Sequence, residues 1–287
     1  MAAAAAIRLN FKKRANYLLI DTSYYVFYRY FATLRWYSFQ QEKDETGIRK
    51  SVECETLHEN EEYMTAYKKH MKAEFAKLQK KWKVPNQNVL FCNDCPRVEI
   101  WRNNHYTDYK AGRVCAANFN GNIFTSFYNF LKDEQIKSVE APNLEADDMV
   151  YIMSKIIHEG SPESQIIVIT NDNDYLQMKT EYIHLYNLQG KGTDLTTRSK
   201  GSPEVDLYMK ICIGDPSDNI NPICEKLGKV TAEKLARMSH EDREAWVTAK
   251  GPACREAYER NKRLVSFNSI PEEFINSVYQ KYNCMFD

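Results

Sequence analysis

No apolar run in this 287-residue chain approaches the roughly 20 residues needed to cross a bilayer, so neither a transmembrane helix nor a membrane partner is expected. Excess charge is missing too. Lys and Arg number 39 and so do Asp and Glu, giving a formal net charge of zero that argues neither for nor against a polyanionic partner. An export signal is lacking, because the opening Met-Ala-Ala-Ala-Ala-Ala-Ile run precedes Arg8, Lys12, Lys13 and Arg14, the reverse of a signal peptide's order. Residues 1–16 are read as an N-terminal tail. The eight cysteines have no framework spacing, so they are read as reduced thiols of an intracellular protein, with no disulfide expected. No Gly-rich phosphate loop supports an ATPase, and the strand-end Asp21-Thr-Ser23 lacks the second acid of an aspartyl-phosphate phosphatase. Zinc is disfavoured as well: the six histidines show no ligand spacing, and Cys92-Asn-Asp-Cys95 has no second pair near it.

What is present is a set of short apolar runs that end in acids. Tyr17-Leu-Leu-Ile-Asp21, Val89-Leu-Phe-Cys-Asn-Asp94 and Gln165-Ile-Ile-Val-Ile-Thr-Asn-Asp172 each have the length and branching of a buried strand. Strands alternating with helices predict an α/β fold with a central parallel sheet flanked by helices. Ligands in such sheets bind beyond the carboxyl ends of the strands, where Asp21, Asp94 and Asp172 all fall. The spacing of Met64, Tyr67, Met71, Phe75, Leu78 and Trp82 predicts an amphipathic helix over 61–83 whose stripe is core. Residues 40–60 read as a polar surface loop. Residues 182–186 and 193–197, joined through the Gly190-Lys-Gly192 turn, read as a strand pair at the sheet's margin. After about Pro203 the pattern is helical to the C terminus.

More acids follow. Glu145, Asp147 and Asp148 crowd the start of a helix that continues through Ile157, an arrangement that dipole complementarity explains when it stands alone. Thr170-Asn-Asp-Asn-Asp174 and Gly214-Asp-Pro-Ser-Asp-Asn219 add further pairs, each an ordinary polar turn when taken singly. Together, Asp21, Asp94, Glu145, Asp147, Asp148, Asp172, Asp174, Asp215 and Asp218 would repel one another at one sheet edge unless cations neutralise them. Oxygen-only ligands select magnesium or manganese over zinc. Two such ions suit the in-line hydrolysis of a phosphodiester.

In this order the motifs resemble the structure-specific 5′ nucleases, the family of the flap endonucleases and the 5′-3′ exonucleases, with the phage RNase H branch nearest. Trp101-Arg102 precedes Tyr109-Lys-Ala-Gly-Arg113, which resembles the family's Tyr-Lys-x-x-Arg element, and Gly201-Ser-Pro-Glu-Val-Asp206 and the Ile270-Pro271 step also fit the branch. The resemblance implies a PIN-like nuclease core over 17–205 and a helical arch at about 100–131. It also implies a C-terminal helical subdomain over 206–287 with a degenerate helix-two-turn-helix. By position, Asp21, Asp94, Glu145 and Asp147 match acids near a first metal, Asp172 joins the sites, and Asp174, Asp215 and Asp218 match a second. Asp148 matches an additional acid of the phage and bacterial members. Lys110 and Arg113 would lie on one face of the arch helix and act on the scissile phosphate. Tyr109 would stack on a displaced base, and Lys226, Lys229 and Thr231 would touch a phosphate backbone. Only Gly228 remains of the family's usual glycines there, so potassium dependence is not expected.

The implied activity is a monomeric, Mg2+-dependent 5′-3′ exonuclease or flap endonuclease, with Mn2+ able to substitute. The implied substrates are DNA with a 5′ flap or recessed 5′ end and RNA-DNA hybrids, met alongside replication proteins in a nucleus, a cytoplasm or a viral replication site. The alternative is a catalytically weak relative that binds branched DNA without cutting it.

Overall fold

The computed structural model describes residues 15–42, 45, 56–113, 119, 121–190 and 192–282. The tail over 1–14, most of the 40–60 loop, residues 114–118 and 120 of the expected arch, Lys191 and residues 283–287 lie outside the described residues.

Five strands form one parallel sheet in the order β3-β2-β1-β4-β5: β1 (Asn16–Asp21), β2 (Val89–Cys92), β3 (Lys137–Val139), β4 (Gln165–Ile169) and β5 (Ile183–Tyr186). The chain builds outward from β1 to β2 and β3, then returns to the other side of β1 for β4 and β5. This reversal leaves a crevice at the carboxyl ends of β1 and β4, because the connections leaving those two strands diverge. Register keeps the ends level: Asp21 pairs with Cys92, and Ile20 with Ile169.

The alternation of side chains along each strand divides the interior in two. Tyr17, Leu19, Leu90, Cys92, Ile166 and Val168 face α4 (Ala146–Gly160) and α9 (Glu272–Lys281). Leu18, Ile20, Val89, Phe91, Ile167 and Ile169 face α1 (Thr22–Gln40), α2 (Glu61–Trp82) and α3 (Asn122–Asp133). Both faces are covered, which is why these strands read as unbroken apolar runs. The α2 stripe is core as expected, with Met64 and Trp82 at its partly buried margins.

A third apolar cluster joins Cys95, Ile100 and Tyr109 to the C-terminal helices α5 (Pro203–Ile213), α6 (Lys229–Ala236), α7 (His240–Ala249) and α8 (Pro252–Val265). Between α5 and α6 the chain turns at Gly214, whose φ is 75°. A Cβ there would sit 2.2 Å from the Ile220 carbonyl oxygen, so only glycine fits.

Three expectations are corrected, and one strand had not been expected. Residues 193–197 do not pair as a strand: β5 closes the sheet as a parallel edge, and Leu195–Arg198 is a 3-10 turn touching it only through a Tyr186–Asp194 bridge. Thiols do not all stay apart, since the fold joins Cys224 to Cys254, 30 residues on, with Cα atoms 5.5 Å apart. Among the described arch residues, 107–112 form turns rather than a helix. Lys110 takes a left-handed φ of 57° and donates its backbone N–H to the Asp218 carbonyl at 2.9 Å, so Lys110 and Arg113 share no helical face. Finally, β3 has only three residues and carried no pattern by which to expect it.

Candidate active site

Each strand end places its acid by ordinary backbone chemistry. Asp21 ends β1 and caps α1, its carboxylate accepting the Tyr24 N–H at 2.9 Å and the Tyr175 hydroxyl at 3.1 Å. Asp94, two residues past β2, accepts from the Ser23 hydroxyl at 2.6 Å and from the Ala146 N–H at 2.9 Å. That second bond ties the end of β2 to the first turn of α4. Glu145 caps α4 in a reciprocal box with Asp148, and Asp147 follows on the same turn. Asp172 caps the 3-10 turn after β4 through the Asp174 N–H at 2.9 Å. Asp215 holds Ser217 by its N–H at 2.8 Å and its hydroxyl at 2.7 Å.

Six of the nine acids, Asp21, Asp94, Glu145, Asp147, Asp172 and Asp215, line one cleft of about 770 Å3 at the carboxyl edge of the sheet, with Lys110, Arg113 and Lys210 on its walls. Asp174 and Asp218 sit at its margin, where with Asp215 they bring one oxygen each within 4.8 Å of the others. Glu145, Asp147 and Asp148 form a second such group.

Asp148 departs from its expected role. It is fully buried, and both its oxygens are taken at 2.7 Å by the guanidinium of Arg102, itself only 1% exposed, while Trp101 Nε1 adds a third bond at 3.0 Å. Its nearness to Glu145 and Asp147 therefore does not make it a free ligand. Arg102 also donates to Glu145 at 2.9 Å and, through Nε, to the Leu264 carbonyl at the end of α8, at 2.8 Å.

Tyr109 departs as well. It is buried against the third core, and its hydroxyl donates to Glu145 at 3.0 Å, so its ring has no free face on which a base can stack. Lys110 and Arg113 do reach the cleft. The Lys110 ammonium contacts Glu145 and lies 3.9 Å from Asp218, and Arg113 contacts Asp218. Lys226, Lys229 and Thr231 are exposed around the start of α6 and do not line the cleft.

Crowding shows in the acidities. Burial, then the neighbouring Asp94, pushes Asp21 up to about 7. Burial and then Asp148 push Asp147 well above the usual carboxylate range. Burial also acts to raise Glu145, but Lys110 and Arg102 outweigh it and hold that carboxyl low. Asp215 drops to about 2 because Lys210 and the Ser217 hydrogen bonds overcome its burial. Lys210, which contacts Asp174 and lies 2.8 Å from Asp215, was absent from the sequence reading, as were the placements of Arg102 and Tyr175. A lone lysine four residues before Gly214 and an arginine beside Trp101 were the only signals. The donor set suits a hard divalent cation: both groups found among the described residues are carboxylates alone, and burial pushes the nearby Cys92 thiol well up, which keeps it protonated.

Residues 16–203 match the family of the 5′-3′ exonuclease N-terminal, resolvase-like domain. The chain is 25% identical over 228 residues to a 5′-3′ exonuclease of Buchnera aphidicola subsp. Baizongia pistaciae, covering 77% of this chain and 66% of that one. Over 162 residues it is 27% identical to DNA polymerase I of Streptococcus pneumoniae strain R6, covering 53% of this chain and 18% of the polymerase. The chain thus spans about half to two thirds of the length of the curated exonucleases it matches. In fold it is similar to a phage T5 protein co-crystallised with metal ions, with a TM-score of 0.59 at 16% identity, covering 93% of this chain and 99% of that one. It is likewise similar to a phage T5 flap endonuclease in complex with DNA and metal ions, with a TM-score of 0.58 at 14% identity, covering 92% and 97%.

Proposed function

This chain belongs to the 5′-3′ exonuclease family, and on that premise we propose that it is a structure-specific 5′ nuclease hydrolysing phosphodiesters of DNA or of RNA primers. One observation carries the reading: acids delivered by the ends of β1, β2 and β4, the start of α4 and the turn after α5 converge on one cleft whose walls carry cations. A stability role does not account for this, since the cluster raises the proton affinity of Asp21 and Asp147.

In this reading Mg2+, or Mn2+ in its place, would be held by Asp21, Asp94, Glu145 and Asp147 on one side and by Asp174, Asp215 and Asp218 on the other, with Asp172 lying between the two groups. A bound ion pair of this kind supplies an activated water and steadies the leaving oxygen. The chain's own groups orient the substrate. Lys110 and Arg113 exchange their carboxylate partners for the scissile phosphate, where fixed cations stabilise developing negative charge. Ser23 and the Ala146 N–H fix the direction of Asp94. Tyr175 does the same for Asp21 and Tyr109 for Glu145. Lys226, Lys229 and Thr231 meet the duplex backbone away from the cleft, and the chain acts as a monomer wherever nucleic acid is copied. The non-cutting alternative has less support, because the acids of the cleft are all retained.

Release of a 5′-labelled product from a flap duplex tests the reading. Cleavage is expected with Mg2+ and none with EDTA, and Asp174→Ala is expected to abolish cutting while branched-DNA binding persists. Equal product in both buffers would remove the metal mechanism.

A further inference from the structure

The bond between Cys224 and Cys254 fastens a surface turn to a buried helix. Upstream of Cys224 the chain is already held. Ile220 exchanges both backbone bonds with Asp215 at 2.8 Å, Asn261 Nδ2 donates to the Asn221 carbonyl at 2.8 Å, and the Ile223 N–H donates to the Cys212 carbonyl at 3.0 Å. Across 224–228, among the described residues, no backbone group bonds to the body of the protein. Leu227 donates back to the Cys224 carbonyl at 3.4 Å, and Gly228 accepts from Ala232 of the helix it caps. The partly buried Leu227 side chain and the disulfide are what hold this stretch.

The two ends of the tie differ. Cys254 is 4% exposed in the first turn of α8, a helix fixed by its buried Tyr258, Asn261 and Leu264. Cys224 is half-buried and flanked by the exposed Glu225 and Lys226. Lys226 takes a left-handed φ of 59°, which a lysine rarely adopts unless flanking contacts impose it. Beyond it stand the exposed Lys229 and Thr231. Asp215 and Asp218 belong to the anchored part, so the cleft keeps its geometry whether the tie is closed or open.

We propose that Cys224 is a site of reversible thiol–disulfide exchange that sets how firmly the chain grips duplex, an inference that rests on reading Lys226, Lys229 and Thr231 as backbone contacts. A dithiol reductant supplies two electrons and two protons. One of its thiolates attacks the accessible Cys224 sulfur, and Cys254 leaves and takes up a proton. The second thiolate then displaces Cys224, which is protonated in turn, and the reductant departs as a disulfide. A small-molecule disulfide runs the exchange backwards. With the tie closed, Lys226 and the start of α6 are pre-organised for phosphates; with it open, each contact must also order the turn.

The test is fluorescence anisotropy of the full chain in EDTA on a labelled nicked duplex, after dithiothreitol or after oxidised glutathione, with peptide mapping of the cross-link in each state. The reduced chain is expected to bind about threefold to tenfold more weakly, with the slope of log affinity against log salt smaller by about one. Oxidised glutathione is expected to restore both. Cys224→Ser is expected to match the reduced chain in either buffer. Equal affinity and slope in the two states overturn the proposal, even with a lower melting temperature on reduction, because the bond is then a staple alone. A missing Cys224–Cys254 cross-link in the oxidised chain overturns it, as does a reduced chain that no longer melts cooperatively. A redox shift that persists in Cys224→Ser assigns the effect to other thiols and overturns it too. The double variant Lys226→Ala with Lys229→Ala separates the underlying reading. Wild-type affinity of that oxidised variant sinks the backbone contacts alone, and weakened binding with no redox shift in the wild type sinks the exchange alone.

Discussion

Replacing Arg102 with Met removes the guanidinium that holds both oxygens of Asp148, a carboxylate with no exposure to water. Three further acceptors or stacking partners lose it at once: Glu145, the Leu264 carbonyl and the Trp101 ring, 4.7 Å from the guanidinium carbon. Breaking one side of a buried pair leaves an uncompensated charge and costs about 3–5 kcal/mol. In a domain of this size that is a fall in midpoint of roughly 5–15 °C. Arg102→Lys should lose nearly as much, because an ammonium cannot serve two carboxylate oxygens and a carbonyl with one planar fork. The decisive variant is the double change Arg102→Met with Asp148→Asn. Neutralising the stranded acid should return more than half of the loss, a coupling of about 1–3 kcal/mol. Urea unfolding in EDTA measures these three variants together with Asp148→Asn alone. A single-variant loss below about 1 kcal/mol, or losses that simply add in the double variant, would refute the claim that charge compensation at this site holds the fold.

Three other expectations follow from the same geometry. Lys210→Met leaves Asp174 and Asp215 facing each other, so stability in EDTA should fall by about 1–3 kcal/mol while the gain on adding Mn2+ grows; an unchanged ion response in thermal melts would count against this. Asp21 binds its proton more tightly folded than unfolded, so its contribution is fully present below the unfolded value near 4 and is lost as pH rises through about 7. Urea midpoints in EDTA should therefore drop between pH 5 and pH 8, with a ceiling of about 4 kcal/mol from this group, and a divalent cation should reverse the drop; a flat profile contradicts the assignment. Tyr109→Phe keeps the ring and removes the hydroxyl bond to Glu145, so turnover should slow by about threefold to tenfold with little change in KM. Full activity would mean that the hydroxyl positions nothing.

Much of this molecule was legible because its sheet is buried on both faces. Such strands are continuous apolar runs, and their terminal acids announce the ligand edge, which is how β1, β2, β4 and the cleft residues Asp21, Asp94 and Asp172 were found. The start of α4 was readable from acids ahead of a helical stripe. What escaped depends on contacts between distant segments. Nothing local distinguishes Asp148 from Asp147, yet one is sealed under Arg102 and the other lines the cleft. Tyr109 reads as a stacking residue beside basic neighbours until the third core closes over its ring. Lys110 reads as helical by its spacing from Arg113, but its backbone bond to Asp218 imposes a left-handed turn that spacing does not encode. Cys224 and Cys254 meet only because α8 returns alongside the chain that follows α5.

That third core also bears on how the protein can be divided. Cys95, Ile100 and Tyr109 belong to the first half of the chain but find their apolar neighbours among the helices after residue 203. Severing the chain at the end of the family match would strip water-excluding cover from all three and release Arg102 from Leu264. It would also discard Lys210, Asp215 and Asp218. The segment matched by the family is therefore shorter than the segment that packs as one unit. Shortened forms of this protein should fail first by clumping, through a patch uncovered right beside the sheet edge where the acids meet.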